Sequence, residues 1–162
     1  MSLSSDFLAA LQAVVGQTNQ MVQVDQGLRI VRCQVVQCDP LAVAVDQLAL
    51  ETPELAQADV AKLQAASQSF CNRVTYLLEP ISPIETDSQG CVVQMRSNPP
   101  QKNDNARCYY ELVLRRGGSV ALHRYEKQSG TARIRQTATL THEVLGRLVE
   151  DFNIIIEEVL AS

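Results

Sequence analysis

The sequence predicts an α+β domain in which amphipathic helices pack on a mostly antiparallel sheet of about five to seven strands. Three observations carry this expectation. Apolar residues recur at helical spacing near the start, in the middle and over five turns at the end of the chain. Between them lie short runs rich in Val, Ile, Leu and Cys, separated by Gly, Pro, Asn and Ser at hairpin distances. No stretch of the 162 residues has the length and composition of an interdomain linker, so residues 1–162 are expected to share one core.

In chain order, Ser4 and Ser5 are N-cap candidates ahead of Phe7, Leu8, Leu11, Val14 and Val15, which share one helical face. This helix should end between Gly16 and Asn19. After the turn signal Asp25-Gln26-Gly27, residues 28–38 alternate Ile, Val and Cys with Arg and Gln, which suits a strand with a bulge. Asp39-Pro40 breaks it. Residues 41–50 read as a strand whose alternation slips at Asp46-Gln47, with a short helix as the alternative. Thr52-Pro53-Glu54 offers a cap, a first-turn proline and an acid at the positive end of a helix dipole. A helix is therefore expected from there, buried through Leu55, Val60, Leu63, Ala66 and Phe70. Strands are expected at about 74–81, 91–97, 108–116, 119–126 and 131–137. Thr141 then caps a final helix with a wide stripe of Val144, Leu145, Leu148, Val149, Phe152, Ile155, Ile156, Val159 and Leu160.

Composition narrows the function classes. The chain has no Trp and few aromatics, so Leu, Val, Ile and Ala must build the core. Cys33, Cys38, Cys71, Cys91 and Cys108 are odd in number and contain no CxxC pair, which argues against a disulfide framework or a zinc finger. No Lys or Arg precedes Arg29 and no window approaches a membrane span, so a cytoplasmic protein without a secretory signal is expected.

Charge is unevenly spread. Residues 96–135 carry nine Lys/Arg against three acids, a net +6, whereas residues 1–95 carry −6 and residues 136–162 carry −4. The overall −4 thus conceals a basic strand region between acidic helical parts.

Gly117-Gly118 suggests a tight two-residue loop, and an even-length loop sorts the flanking side chains. It places Tyr110, Leu112, Leu114, Ala121, His123 and Tyr125 on a core face, joined by Ala132 and Ile134 from the next hairpin. Tyr109, Glu111, Val113, Arg115, Val120, Leu122, Arg124, Glu126, Arg133 and Arg135 fall on the other, with Glu111 opposite Arg124. This second face is basic and partly apolar, so the final helix or another molecule should cover it.

The motif tests for chemistry fail. GxGxxG, GxxxxGK, GxSxG and CxxC are absent. His142-Glu143 begins like HExxH, but Gly146 stands where the second histidine belongs, so it reads as polar first-turn sequence after Thr141. His123 reads as a core histidine, with a Cys108–His123 nucleophile pair as the sharper alternative. Neither a cofactor nor a metal is expected. The polar stretch Asn98 to Asn105 should be a loop.

The leading expectation is a non-catalytic protein-interaction module, adaptor-like or chaperone-like, that self-associates or holds a partner protein. Its layout of terminal helices around an antiparallel sheet is similar to that of small acidic secretion chaperones, although more strands follow the second helix than in their pattern. A second expectation is nucleic-acid or anion binding through Arg115, Arg124, Arg133 and Arg135, with Tyr109 stacking on bases. A third is a small apolar ligand between the sheet and the final helix. No membrane partner is expected.

Overall fold

A computed structural model describes residues 2–97, 101–103 and 105–161. Among these the chain forms three α-helices on an antiparallel sheet, the expected α+β architecture. Helix α1 (Leu3–Ala13) leads into β1 (Thr18–Gln26), β2 (Arg29–Cys38) and β3 (Ala42–Glu51). A single 3₁₀ turn (Pro53–Leu55) precedes α2 (Val60–Arg73), followed by β4 (Ile81–Asp87), β5 (Val92–Ser97), β6 (Gln101–Asn103), β7 (Ala106–Arg115) and β8 (Ser119–Gln128). Short β9 (Ile134–Gln136) and β10 (Ala138–Thr141) then deliver the chain to α3 (His142–Ala161). Seven strands form the main path, in the order β1-β2-β3-β8-β7-β5-β4, and the three short ones, β6, β9 and β10, pair alongside β7, β8 and β3.

Several boundaries differ from expectation for local reasons. Ser2, not Ser4 or Ser5, caps α1 by accepting from the Ser5 amide, which leaves Ser4 Oγ to donate to the Gly146 carbonyl in α3 at 2.8 Å. Strand β1, which the apolar pattern does not signal, is an edge strand with only Val22 fully buried. At Thr52-Pro53-Glu54 the helix runs for one 3₁₀ turn and stops; Asp59 caps α2 afresh through the Ala61 amide. The strand expected at 74–81 begins only at Ile81, and Pro83 is tolerated in it because β4 is the other edge of the sheet. The slip at Asp46-Gln47 is a bulge: Gln34 pairs with Gln47 but Val35 with Val45, and a compensating irregularity follows before Gln37. The pair lets Val43, Val45, Leu48 and Leu50 all face the core. The polar stretch from Asn98 falls largely outside the described residues; within it Gln101–Asn103 pairs with β7.

One side of the sheet is apolar across its width. Successive registers align Val31, Leu50, Val120, Leu114 and Val93 in one cross-strand row, and Cys33, Leu48, Leu122, Leu112 and Met95 in the next. These rows share a single buried cluster with Phe7 and Leu11 of α1, Leu63 and Phe70 of α2, and Leu145, Leu148, Val149, Phe152, Ile155 and Ile156 of α3. The expected stripe on α3 is therefore consumed inside the molecule. Each such side chain contributes about 1.5 to 3 kcal/mol relative to exposure. Helix α3 packs against both other helices, with Phe70 and Phe152 ring centroids 5.8 Å apart.

Ion pairs clamp the rim of this layer. Arg29 reaches Glu54 at 2.7 Å, Glu157 at 2.6 Å and the Asn153 side chain at 2.7 Å, joining β2 to the 3₁₀ turn and to α3. The hydrogen bond from Arg29 holds the Glu54 carboxyl below its ordinary range. Tyr76 donates to Asp151, and burial followed by that carboxylate pushes the phenol well up. None of the helices described is long and apolar enough to cross a membrane.

Candidate binding surface on the open sheet face

The β7–β8 hairpin overturns the expected sorting of faces. Arg115 pairs with Ser119, so the connection is the three-residue loop Arg116-Gly117-Gly118, not a two-residue turn. Gly118 adopts φ +102° and its amide donates to the Arg115 carbonyl, the form of a three-residue hairpin closed by a positive-φ residue. An odd loop shifts the facing pattern of β8 by one residue. Val120 and Leu122 consequently belong to the core with Leu112 and Leu114, while Ala121, His123 and Tyr125 lie on the opposite face. Ile134 pairs with Glu126 and is largely exposed, not a core residue.

Glu111 therefore lies opposite His123, not Arg124. Arg124 stands opposite Tyr110 on the helix side, stacked 4.4 Å from that ring's centroid and bonded to Glu79 at 3.2 Å. Glu79 also accepts from Ser97 Oγ at 2.8 Å. Of the five residues expected to form a basic surface, the structure keeps Tyr109, Arg115, Arg133 and Arg135 together and sends Arg124 through the sheet. Loop parity gives no sign of His123, Tyr125 and Arg96 as members of this face, the last because no turn signal sets the register of β5 against β7.

The face away from the helices has a distinct chemistry. Its cross-strand rows run Arg32, Ala49, Ala121, Val113 and Gln94, and then Glu51, Ser119, Arg115 and Val92; Glu111 pairs with Arg96 beside them. Val92, Val113 and Ala121 are half-buried but stand outside the core cluster. Arg96 lies 4.5 Å from the Tyr109 ring centroid, Tyr109 and Tyr125 are 5.9 Å apart, and Arg133 covers Tyr125 at 3.9 Å. Arg133 also pairs with Glu111, which is only 2% exposed. Desolvation works against the Arg133 charge, but hydrogen bonding to Tyr109 and the pairing with Glu111 outweigh it and raise its pKa.

An open recess of about 430 Å³ occupies the middle of this face. It is lined by Gln47, Val92, Gln94, Val113, Ala121 and Tyr125, with Glu111, Arg115, His123, Arg133 and Arg135 supplying titratable groups. Burial first, then Arg135, Arg133 and Arg115 in turn, lower the His123 pKa to about 4. Its ring is neutral at pH 7, and Nε2 is buried without a hydrogen-bond partner. A larger recess of about 550 Å³, lined by Leu77, Leu78, Glu79, Pro80, Tyr110, Arg124 and Thr139, lies elsewhere. Its two charged groups neutralise one another, and no α3 residue lines it.

Other reactive side chains are held apart or silenced. Cys108 is opposite Glu126, one residue out of phase with Tyr109 and Glu111, so it faces away from His123 and the two form no pair. A contact that spacing did not reveal is Cys38 Sγ with His142 Nε2 at 3.8 Å. That nitrogen lies 2.7 Å from the Asp39 carbonyl oxygen, which can only accept, so it carries the proton and cannot serve as a base toward the thiol. Burial, then Asp39, pushes the Cys38 thiol up, and burial pushes Cys33 to about 12 and Cys71 to about 11. All five cysteines are buried and unbridged. Among the described residues no group of three or more His, Cys, Asp or Glu could hold a metal.

Compared with protein-family models, with curated proteins and with solved structures, the chain matches none.

Proposed function

We propose that this chain is a non-catalytic binding module, adaptor-like or chaperone-like, that docks an acidic polypeptide segment on the open face of its sheet. The observation that carries this reading is the segregation of charge between the two layers. Arg32, Arg96, Arg107, Arg115, Lys127, Arg133 and Arg135 lie on one face, against the acids Asp25, Glu51, Glu85, Asp87 and Glu111, of which Glu51 and Glu111 are paired with Arg32 and Arg133, so cations remain in excess. Val92, Val113 and Ala121 add apolar area among them. A mixed apolar and basic face suits a peptide that carries carboxylates on an apolar backbone.

Two competing readings lose support for specific reasons. Base stacking needs a free aromatic face, but Tyr109 is 6% exposed beneath Arg96 and Tyr125 is covered by Arg133. Self-association through α3 loses its apolar stripe to the core. Docking of the acidic helical layer of one copy on the basic face of another is head-to-tail, which builds rings or filaments and not a two-fold pair. A separate acidic segment fits this surface with neither difficulty.

The test is fluorescence anisotropy with a labelled deca-glutamate peptide and a labelled deca-thymidylate strand. The peptide should bind, weaken as salt rises, and lose about tenfold or more in affinity with Arg115→Glu/Arg135→Glu, corresponding to about 1.4 kcal/mol. Tighter binding of the oligonucleotide, or an unchanged peptide affinity in the double variant, contradicts the reading.

A further inference from the structure

We infer that the recess around His123 is an oxyanion site, in which Arg115, Arg135 and the imidazole together hold one carboxylate of the docked segment. The inference rests on the open-face docking proposed above and assigns its anchoring point.

The recess contains two kinds of unspent capacity. Arg133 is engaged by Glu111 and by the Tyr125 ring, whereas Arg115 and Arg135 are exposed and have no ion-pair partner among the described residues. His123 contributes a buried Nε2 that meets no acceptor or donor. A buried polar atom left unmatched is costly, and an oxyanion seated in the recess offers the imidazole an acceptor. Gln47 and Gln94 at the margins offer amide donors, and Val92, Val113 and Ala121 limit the access of water.

The site is proton-linked. The groups facing His123 are Glu111 and Arg115 from β7, Tyr125 from β8, and Arg133 and Arg135 from the β9 segment; three of these five are cationic. Burial first, and then the charges of Arg135, Arg133 and Arg115, disfavour a proton on the ring in the empty site. A bound anion offsets that repulsion, so His123 takes up a proton as the anion enters, and affinity rises as pH falls from 7 toward 5. If the ring pKa climbs from about 4 to roughly 6, linkage makes the complex about tenfold tighter at pH 5 than at pH 7. No bond is made or broken other than that to the proton.

Sulfate is the first probe, because it does not itself titrate between pH 5 and 7. The His123 ring carbons are followed by NMR against pH, with and without 50 mM sodium sulfate at constant ionic strength. The expected result is an upward shift of at least one pH unit with sulfate, absent in Arg115→Gln/Arg135→Gln and retained in Lys62→Gln, which removes a cation from α2. Deca-glutamate provides the second arm, titrated over the same range from pH 7 to 5, in which most of its carboxylates stay ionised; it should produce the same shift. A His123 titration indifferent to both anions overturns the oxyanion site. If deca-glutamate binds with the same affinity to His123→Gln and leaves the wild-type ring unshifted, docking stands and the oxyanion site falls. If sulfate shifts the ring but deca-glutamate does not bind, the recess is a small-anion site and polypeptide docking falls.

Discussion

Gly118 decides which residues face which way. At φ +102°, an added Cβ would lie 2.0 Å from the Thr52 carbonyl oxygen, and the Thr52 amide already donates to the Gly118 carbonyl at 2.7 Å. Gly117 next to it has open space and no such torsion. Gly118→Ala should therefore cost about 2 to 4 kcal/mol, through strain and backbone displacement, whereas Gly117→Ala should stay within about 0.5 kcal/mol. Urea denaturation of the two variants checks this, and equal effects would contradict the loop geometry. His123 makes a second prediction at this scale. Its folded-state pKa of about 4 lies below the ordinary 6.5, so the unfolded chain binds the proton first. Stability should fall as pH drops from about 6.5 to about 4, and His123→Gln should remove that component. The difference between wild-type and variant denaturation midpoints should be constant above pH 6.5 and move against the wild type as pH falls from about 6.5 to about 4.

At the scale of elements, periodicity made the helices and most strands legible, because burial on one side imposes a repeat of 3.6 or 2 residues on the sequence. Even the bulge at Asp46 left a visible slip. Strand β1 left less, since an edge strand exposed along one side needs few apolar residues. The facing pattern of β8 left none. Two glycines signal a turn but not its length, and that length is tied to a contact between Gly118 and Thr52, distant in sequence. Two parities differ from expectation, in the β7–β8 loop and again where Tyr125 and not Arg124 shares a face with Arg135; together they exchanged Arg124 for His123 and Tyr125 and left Tyr109, Arg115, Arg133 and Arg135 together. The final helix tests the same scale. Phe152 is fully buried against Phe70 and Leu160 is 44% exposed. Phe152→Ala should cost about 3 to 5 kcal/mol, and Leu160→Ala well under 1 kcal/mol. Comparable losses would show that the stripe is not spent in the core.

Across the whole molecule, the two layers divide the labour. The helical layer and the sheet's apolar rows supply the core, and the acids of that side, Glu54, Glu79, Asp151 and Glu157 among them, are held by Arg29, Arg73 and Arg124. The opposite face keeps cations in excess of its acids, and self-repulsion among them favours an anionic occupant. Net charge alone hides this arrangement, because −6 and −4 at the two ends outweigh the +6 between them. Amide chemical-shift mapping with unlabelled deca-glutamate tests the central claim most directly. Perturbations confined to β5, β7, β8 and β9, centred on Arg115, His123 and Arg135, are predicted; perturbations centred on α1, α2 or α3, or none at saturating peptide, would contradict it.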